Sequence, residues 1–309
     1  MWFVPLLPLP FFITNQYILG LVIVAAIFIC LALGLNIVVG YGGLLDLGYV
    51  AFFAIGAYTT AILYGSLHWN IFLVIILSIA LSGIFGFLLG FPTLGLRGDY
   101  LALVTLAFGE IVRIVLNNTD TITNGPKGLS VDILLNKTFL YYIALVMVVL
   151  LLFLAHRIKY SQIGLQLIAV REDEVAARNL GLDTVKIKLF AFVSGAAFAG
   201  LTGAFFAVSQ GFISPESFTF WQSVMILAMV IIGGLASIGG VVLGAVIITL
   251  IPELGRLGVM FFGIDHTIAN TIEQYRMLFV SGLLLLIITL RPEGILPSRH
   301  RKAELENTN

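Results

Sequence analysis

The sequence predicts an all-α polytopic membrane protein with about 8-9 transmembrane helices, some broken or re-entrant, and three observations carry that prediction. Of the 309 residues 60% are hydrophobic and 10% charged, with a mean hydropathy of +1.10; a water-soluble domain carries about 25% charged residues. The first Lys or Arg is Arg97. Apolar runs of about 20 residues, the length at which a helix crosses the hydrocarbon core, recur along the chain and are apolar all round, unlike the alternating strands of a barrel.

In chain order the candidate spans fall at 17-39, 43-65, 69-91, 98-118, 138-157, 188-208, 217-237, 240-258 and 273-291. Ahead of them, MWFVPLLPLPFF holds Pro5, Pro8 and Pro10. Each removes an amide donor and crowds the preceding turn, so no regular helix is expected before about residue 13. The stretch lacks the basic region and small-residue cleavage site of a secretory signal, and the N-terminus is expected to stay attached.

The first span ends on Gly34, Asn36 and Gly40. The second opens with GGLLDLG, residues 42–48, whose glycines make it the candidate for a re-entrant segment; eight spans would then remain and the N-terminus would change sides. Gly83, Gly86 and Gly90 in the third span, and Gly195, Ala199 and Gly203 in the sixth, follow almost throughout the small-xxx-small spacing of close helix contacts in lipid. The seventh ends in GGLASIG, residues 233–239, a near copy of the first heptad. Glycine breaks at matching places in two halves point to a transport path, which makes Gly42, Gly43, Gly233 and Gly234 candidates alongside Asn36. One transmembrane domain, 1-309, accounts for the chain, with a polar segment at about 157-188 and a tail at 292-309.

Orientation follows Lys and Arg in short loops. The polar segment holds Arg157, Lys159, Arg171, Arg178, Lys186 and Lys188, and the tail adds Arg291, Arg299, Arg301 and Lys302. Both are expected on the cytoplasmic side, with four spans between them. Counting backwards places 119-137 and the N-terminus outside and the hinge FPTLGLRGD inside.

Charges inside apolar spans are costly, about 2.5–3.5 kcal/mol each at a helix centre, and are functional candidates by default. They are Asp46, Glu110 and Arg113. Glu110 and Arg113, three residues apart, suit either a mutually neutralised structural pair or a lining role near the outer mouth. Asp46 has no basic neighbour in sequence, and capping of the following helix is favoured over substrate contact. The 16 basic and 16 acidic residues cancel, giving no signal for nucleic acid. One cysteine, Cys30, excludes an internal disulfide, and the four histidines show no ligand spacing, so neither metal nor other cofactor is expected. GxxxxGK[ST] is absent, so the chain does not hydrolyse ATP itself.

The segment SQIGLQLIAVREDEVAARNLGLDTVKIK reads as a helix begun by Ser161 or Gln162 and ended at Gly181, with Asp183 or Thr184 capping the next. Glu174 and Arg178 form an i,i+4 pair. An ordinary solvated loop helix fits this pattern; so does a compact helix whose small residues seat in another protein's groove.

VREDEVAARNLGLDTVKIKLFAFVSGAAFAGLTGA, LGLNIVVGYGGLLDLGYVAFFAIGAY, LRGDYLALVTLAFGEIVRIVLNNTDTITNGPKGL and GGLASIGGVVLGAVIITLIPEL, from about Leu31 to Pro297, resemble the permease subunits of branched-chain amino acid ABC importers, the LivM-type more than the LivH-type. The resemblance implies a multi-pass subunit of the cell (inner or plasma) membrane. It implies a second, LivH-type permease, two cytoplasmic ATP-binding subunits and an extracytoplasmic substrate-binding protein as partners, with leucine, isoleucine and valine as cargo. It also implies that Arg171, Glu172, Asp173, Glu174, Ala177 and Gly181 couple the subunit to the ATPase, the carboxylates meeting basic residues there and Ala177 and Gly181 allowing close approach. An importer of urea, short amides or other amino acids on the same fold, and an ion-coupled secondary carrier, remain alternatives.

Overall fold

The computed structural model describes residues 16–93, 95, 98–131, 135–262, 281–282, 285–286, 289–290 and 294–296. The proline-rich start, Arg97, the basic tail residues and most of the window 273-291 lie outside the described residues.

Helix α1, Gln16–Leu35, continues into a wider π turn, Asn36–Tyr41. The chain bends through Gly42–Gly48 into α2, Tyr49–Thr60, which also widens into a π turn, Ala61–Ser66. Then follow α3, Ile71–Thr93; α4, Asp99–Asn118; the single turn α5, Asp120–Thr123; and α6, Lys137–Lys159. Two short helices, α7 (Gln162–Glu172) and α8 (Glu174–Asn179), lead to α9, Thr184–Gln210. Helices α10, Phe220–Gly233, and α11, Ile238–Phe262, follow.

This is an all-α polytopic membrane protein. Among the described residues, 6 helical stretches are long and apolar enough to cross a membrane: Gln16–Tyr41, Tyr49–Ser66, Ile71–Thr93, Lys137–Lys159, Thr184–Gln210 and Pro215–Gly233. The expected span at 98-118 is helical as α4 but less apolar than these, since it carries Asp99, Glu110, Arg113, Asn117 and Asn118. In α11 the apolar stretch is Ile238–Ile251.

Lipid removes the hydrophobic drive between helices, leaving close packing and hydrogen bonds to join them. Helix α9 is the centre of that packing. A Cβ on Gly86 would meet Ala196, one on Gly200 would meet Ser82, and one on Gly203 would meet the Phe53 carbonyl. Gly56 and Gly200 bring the backbones of α2 and α9 together. The Ser82 hydroxyl donates to the Phe52 carbonyl at 3.0 Å, and Thr60 and Ser78 share a hydrogen bond of 3.0 Å, so α2 and α3 are also tied. Phe72, Ile76, Leu88 and Phe91 of α3, with Val146 and Phe153 of α6, face outward as an apolar surface suited to lipid.

The helices sort the connections to two ends. Gly42–Gly48, residues 160–183 and residues 234–237 gather at one, which holds most of the basic side chains among the described residues and is called the basic end. At the other, a two-residue antiparallel ladder pairs Leu129 with Ile213 and Ser130 with Phe212. The Gly65 end of α2 lies against Ser130, so the helix that follows GGLLDLG runs from one end of the bundle to the other.

Candidate functional site

The basic end is built from locally specified turns. Ser161 is extended and its hydroxyl accepts from the Gly164 amide at 3.1 Å, starting α7. Asp173 then breaks the helix: at φ −151, ψ 103 its Oδ1 accepts from the amides of Val175, 2.8 Å, and Ala176, 2.9 Å, and a new helix begins. The expected single helix up to Gly181 is thus two, because an Asp side chain that satisfies two free amides competes with helix continuation. Gly181 turns the chain at φ 85, and Asp183 caps α9 through the Lys186 amide at 3.2 Å. The Lys186 ammonium, bonded to Asp183 at 2.9 Å, holds that carboxyl below the usual range and keeps the cap ionised.

This elbow reaches into the bundle through Arg171. Its Nη1 donates to the Gly40 carbonyl at 2.6 Å. Its methylenes cover Gly43, where φ is 65 and an added Cβ would strike the arginine Cγ. The second heptad joins the end of the first span: the Ala236 amide donates to Asn36 Oδ1 at 2.9 Å, and Lys159 Nζ donates to the Ala236 carbonyl at 2.9 Å. Ala236 sits at φ 60, in the left-handed region that a non-glycine residue rarely enters, and these two bonds hold it there. Gly43 and Gly234 occupy the same place in their heptads and both have positive φ. Asn36, Gly42, Gly43, Gly233 and Gly234 therefore converge with Arg171 on one end of the bundle, beside an open groove of about 370 Å³ lined by Gly42–Leu45, Val170–Val175 and Lys188.

Residues 17–289 match the family described as branched-chain amino acid transport system / permease component. The chain belongs to this family. The high-affinity branched-chain amino acid transport system permease protein LivM of Escherichia coli K12 is 41% identical over 330 aligned residues, covering 96% of this chain and 74% of the relative. The probable LivM permease of Methanocaldococcus jannaschii is 26% identical over 293 residues, 86% of this chain and 84% of the relative. Escherichia coli K12 LivH is 28% identical over 139 residues, 45% of this chain and 41% of the relative. No solved structure matches.

In the permease, the carboxylates of the elbow are not equivalent. Glu174 pairs with Arg178 at 3.2 Å and with the buried Lys188 at 2.7 Å, so it joins α8 to α9 instead of facing outward. Asp173 is exposed but uses Oδ1 as a cap, and Glu172 is exposed. Ala177, expected to allow close approach by a partner, is 3% exposed and turned into the bundle. Val175 of α8 and Leu180, the residue after it, at 59% and 82%, are large apolar side chains turned outward, beside the exposed Gly181. Which face of α8 is outward depends on its starting residue, and the Asp173 cap sets that.

Asp46 is buried, and its Oδ1 accepts from the Gly48 amide at 2.9 Å. It does not cap α2: Gly48 occupies the cap position with no side-chain bond, and the Val50 amide is met by Ser223 of α10 at 3.2 Å. An Asp two residues before an amide closes a local Asx turn, leaving the helix amides to another element. Asp46→Ala is expected to lower the melting temperature of the detergent-solubilised permease by several degrees, since a buried amide left unpaired costs about 1–3 kcal/mol, whereas Asp46→Asn, which keeps the acceptor, should melt near wild type. Equal losses in the two variants would show that the charge, not the turn, matters.

Glu110 and Arg113 lie apart from this convergence. Arg113 Nη2 meets Glu110 at 3.0 Å, and Nη1 meets Glu216 of the Pro215–Ser217 turn at 3.5 Å. The pair is thus a triad joining α4 to the turn before α10. Ser223, Lys159, Glu216 and Lys188 were not legible as site residues, since each acts on a partner more than 10 residues away in sequence.

Proposed function

We propose that the permease is a transmembrane subunit of an ATP-driven importer of leucine, isoleucine and valine, working beside a LivH-type second permease, two ATP-binding subunits and an extracytoplasmic substrate-binding protein in the cell (inner or plasma) membrane. The observation that carries this is the likeness to LivM across nearly the whole chain. The basic end is read as cytoplasmic, by the rule that short cytoplasmic loops hold Lys and Arg. Nine crossings with the N-terminus outside follow from that orientation, from the end-to-end course of α2, and from counting 98-118, 240-258 and 273-291 as spans. An N-terminal epitope should then be reached by antibody only from the extracytoplasmic side; cytoplasmic labelling would reduce the count to eight.

ATP-driven closure of the ATPase pair would move the elbow, and Arg171 would carry that movement to the Gly40–Gly43 break. The Asn36 bond to Ala236 would engage the second break in the same motion. Contact with the ATPase falls to Glu172, Val175, Leu180 and Gly181, with Glu174 bracing α8 from within. Mild-detergent purification should bring down two ATPases and a second permease, and vesicles of that complex should take up leucine when given ATP and the binding protein. A homo-oligomer alone would favour the ion-coupled carrier. Glu172→Lys is expected to weaken ATPase association, read as loss of ATPase from the purified complex; unchanged association and uptake would remove Glu172 from the interface.

A further inference from the structure

At the end opposite the elbow, α1, α6, α9, α10 and α11 line a half-open cavity of about 530 Å³. That volume lies in the range of small-molecule sites, about 300–1,000 Å³. Its rim carries both signs of charge. Lys137 is the first residue of α6, and Glu253 of α11 accepts a hydrogen bond from the Tyr17 hydroxyl of α1. Gln222, at the start of α10, adds an amide. Below the rim the lining is apolar: Val24, Phe28, Met225 and Met229. Phe28 is 12 residues into α1 and so about 18 Å along it, which takes the cavity well into the bundle.

We propose that this cavity receives a zwitterionic aliphatic amino acid on its way through the permease, a reading that rests on the importer function above and gives it a place. The α-ammonium pairs with the Glu253 carboxylate, which the Tyr17 hydroxyl also engages. The α-carboxylate pairs with Lys137 and with the Gln222 amide, whose nitrogen also donates to the Ser217 carbonyl at 3.4 Å. The branched side chain lies against Val24, Phe28 and the two methionines, whose unbranched thioethers adapt to different side-chain shapes. A second groove, about 550 Å³ between α3, α6 and α9, opens on the outward apolar surface at Phe72 and Val146, has no charged group in its lining, and offers nothing to a zwitterion.

Thiol protection tests this in vesicles of the purified complex, without its binding protein. Met225→Cys and, as a second reporter, Val24→Cys are labelled by a membrane-impermeant methanethiosulfonate; the native Cys30 is fully buried. Extracytoplasmic labelling should be slowed about tenfold by saturating L-leucine. It should not be slowed by isocaproate, which lacks the ammonium, or isoamylamine, which lacks the carboxylate. Lys137→Gln and Glu253→Gln should each remove the protection. Labelling that leucine leaves unchanged in both reporters overturns the proposal, as does protection conferred by phosphatidylethanolamine in phosphatidylglycerol vesicles and not by leucine, because that lipid headgroup bears the same pair of charges. ATP-driven leucine uptake by the unsubstituted complex, with its binding protein supplied, is read in parallel. Uptake without protection removes the cavity and keeps the importer; protection without uptake keeps the cavity and removes the importer.

Discussion

Arg171→Ala is expected to reduce ATP-driven leucine uptake by at least about tenfold while the subunits still assemble and hydrolyse ATP. The side chain makes a charge-assisted bond to the Gly40 carbonyl and covers Gly43. Bonds of that kind contribute about 1.5–3 kcal/mol, and a loss of that size is a factor of about 10–150. If the bond carries elbow movement to the first helix break, its loss falls on uptake per ATP hydrolysed and not on assembly. The measurement is that ratio, taken in vesicles. Arg171→Lys keeps a charge but not the planar fork that lets arginine bond while packing flat on glycine, and an intermediate ratio is expected. A ratio within about twofold of wild type in the alanine variant, below 0.5 kcal/mol, would show that the elbow communicates by another route.

The second large effect is on folding. Gly56→Val should nearly abolish recovery of monodisperse protein from membranes, because the added carbons meet the Gly200 backbone and no side chain lies between to move aside. Overpacking a tight interior costs about 1–3 kcal/mol even where side chains can shift, and here two helices must separate. Gly83→Ala is the control from the same class of glycines. Among the described residues, its added Cβ meets Val193 at 3.8 Å, an ordinary contact, and near wild-type recovery is expected. Equal recovery of the two variants on size exclusion would mean that close approach of α2 and α9 is not what the glycines provide.

That contrast marks how far sequence spacing reaches. Gly83, Gly86 and Gly90 read alike in the chain, yet a Cβ on Gly86 meets Ala196 and one on Gly83 has room. The spacing identifies a face of the helix, and only the partner across it distinguishes one glycine from the next. The same holds at the elbow. Ser161, Gly181 and Asp183 act within three residues of themselves, so their roles were legible. The break at Asp173 was not, because an Asp in a charged run reads equally well as a solvated surface residue, and from that break follows the burial of Ala177 and the exposure of Val175 and Leu180. The cavity residues Lys137 and Glu253 went unread for a further reason: each stands near a span end, where a charge is ordinary.

What the sequence determined by itself is the solvent, the helical class, the position of most spans and the capped turns of the elbow. These depend on local composition and on contacts a few residues apart. The tertiary structure alone decided how the end of the first span meets the second heptad and the elbow. The Asn36 bond to Ala236 joins residues 200 apart in the chain, and the Arg171 bond to Gly40 joins residues 131 apart. Such pairs form only when packed helices set the height and rotation of each span, and short-range propensity carries no record of that.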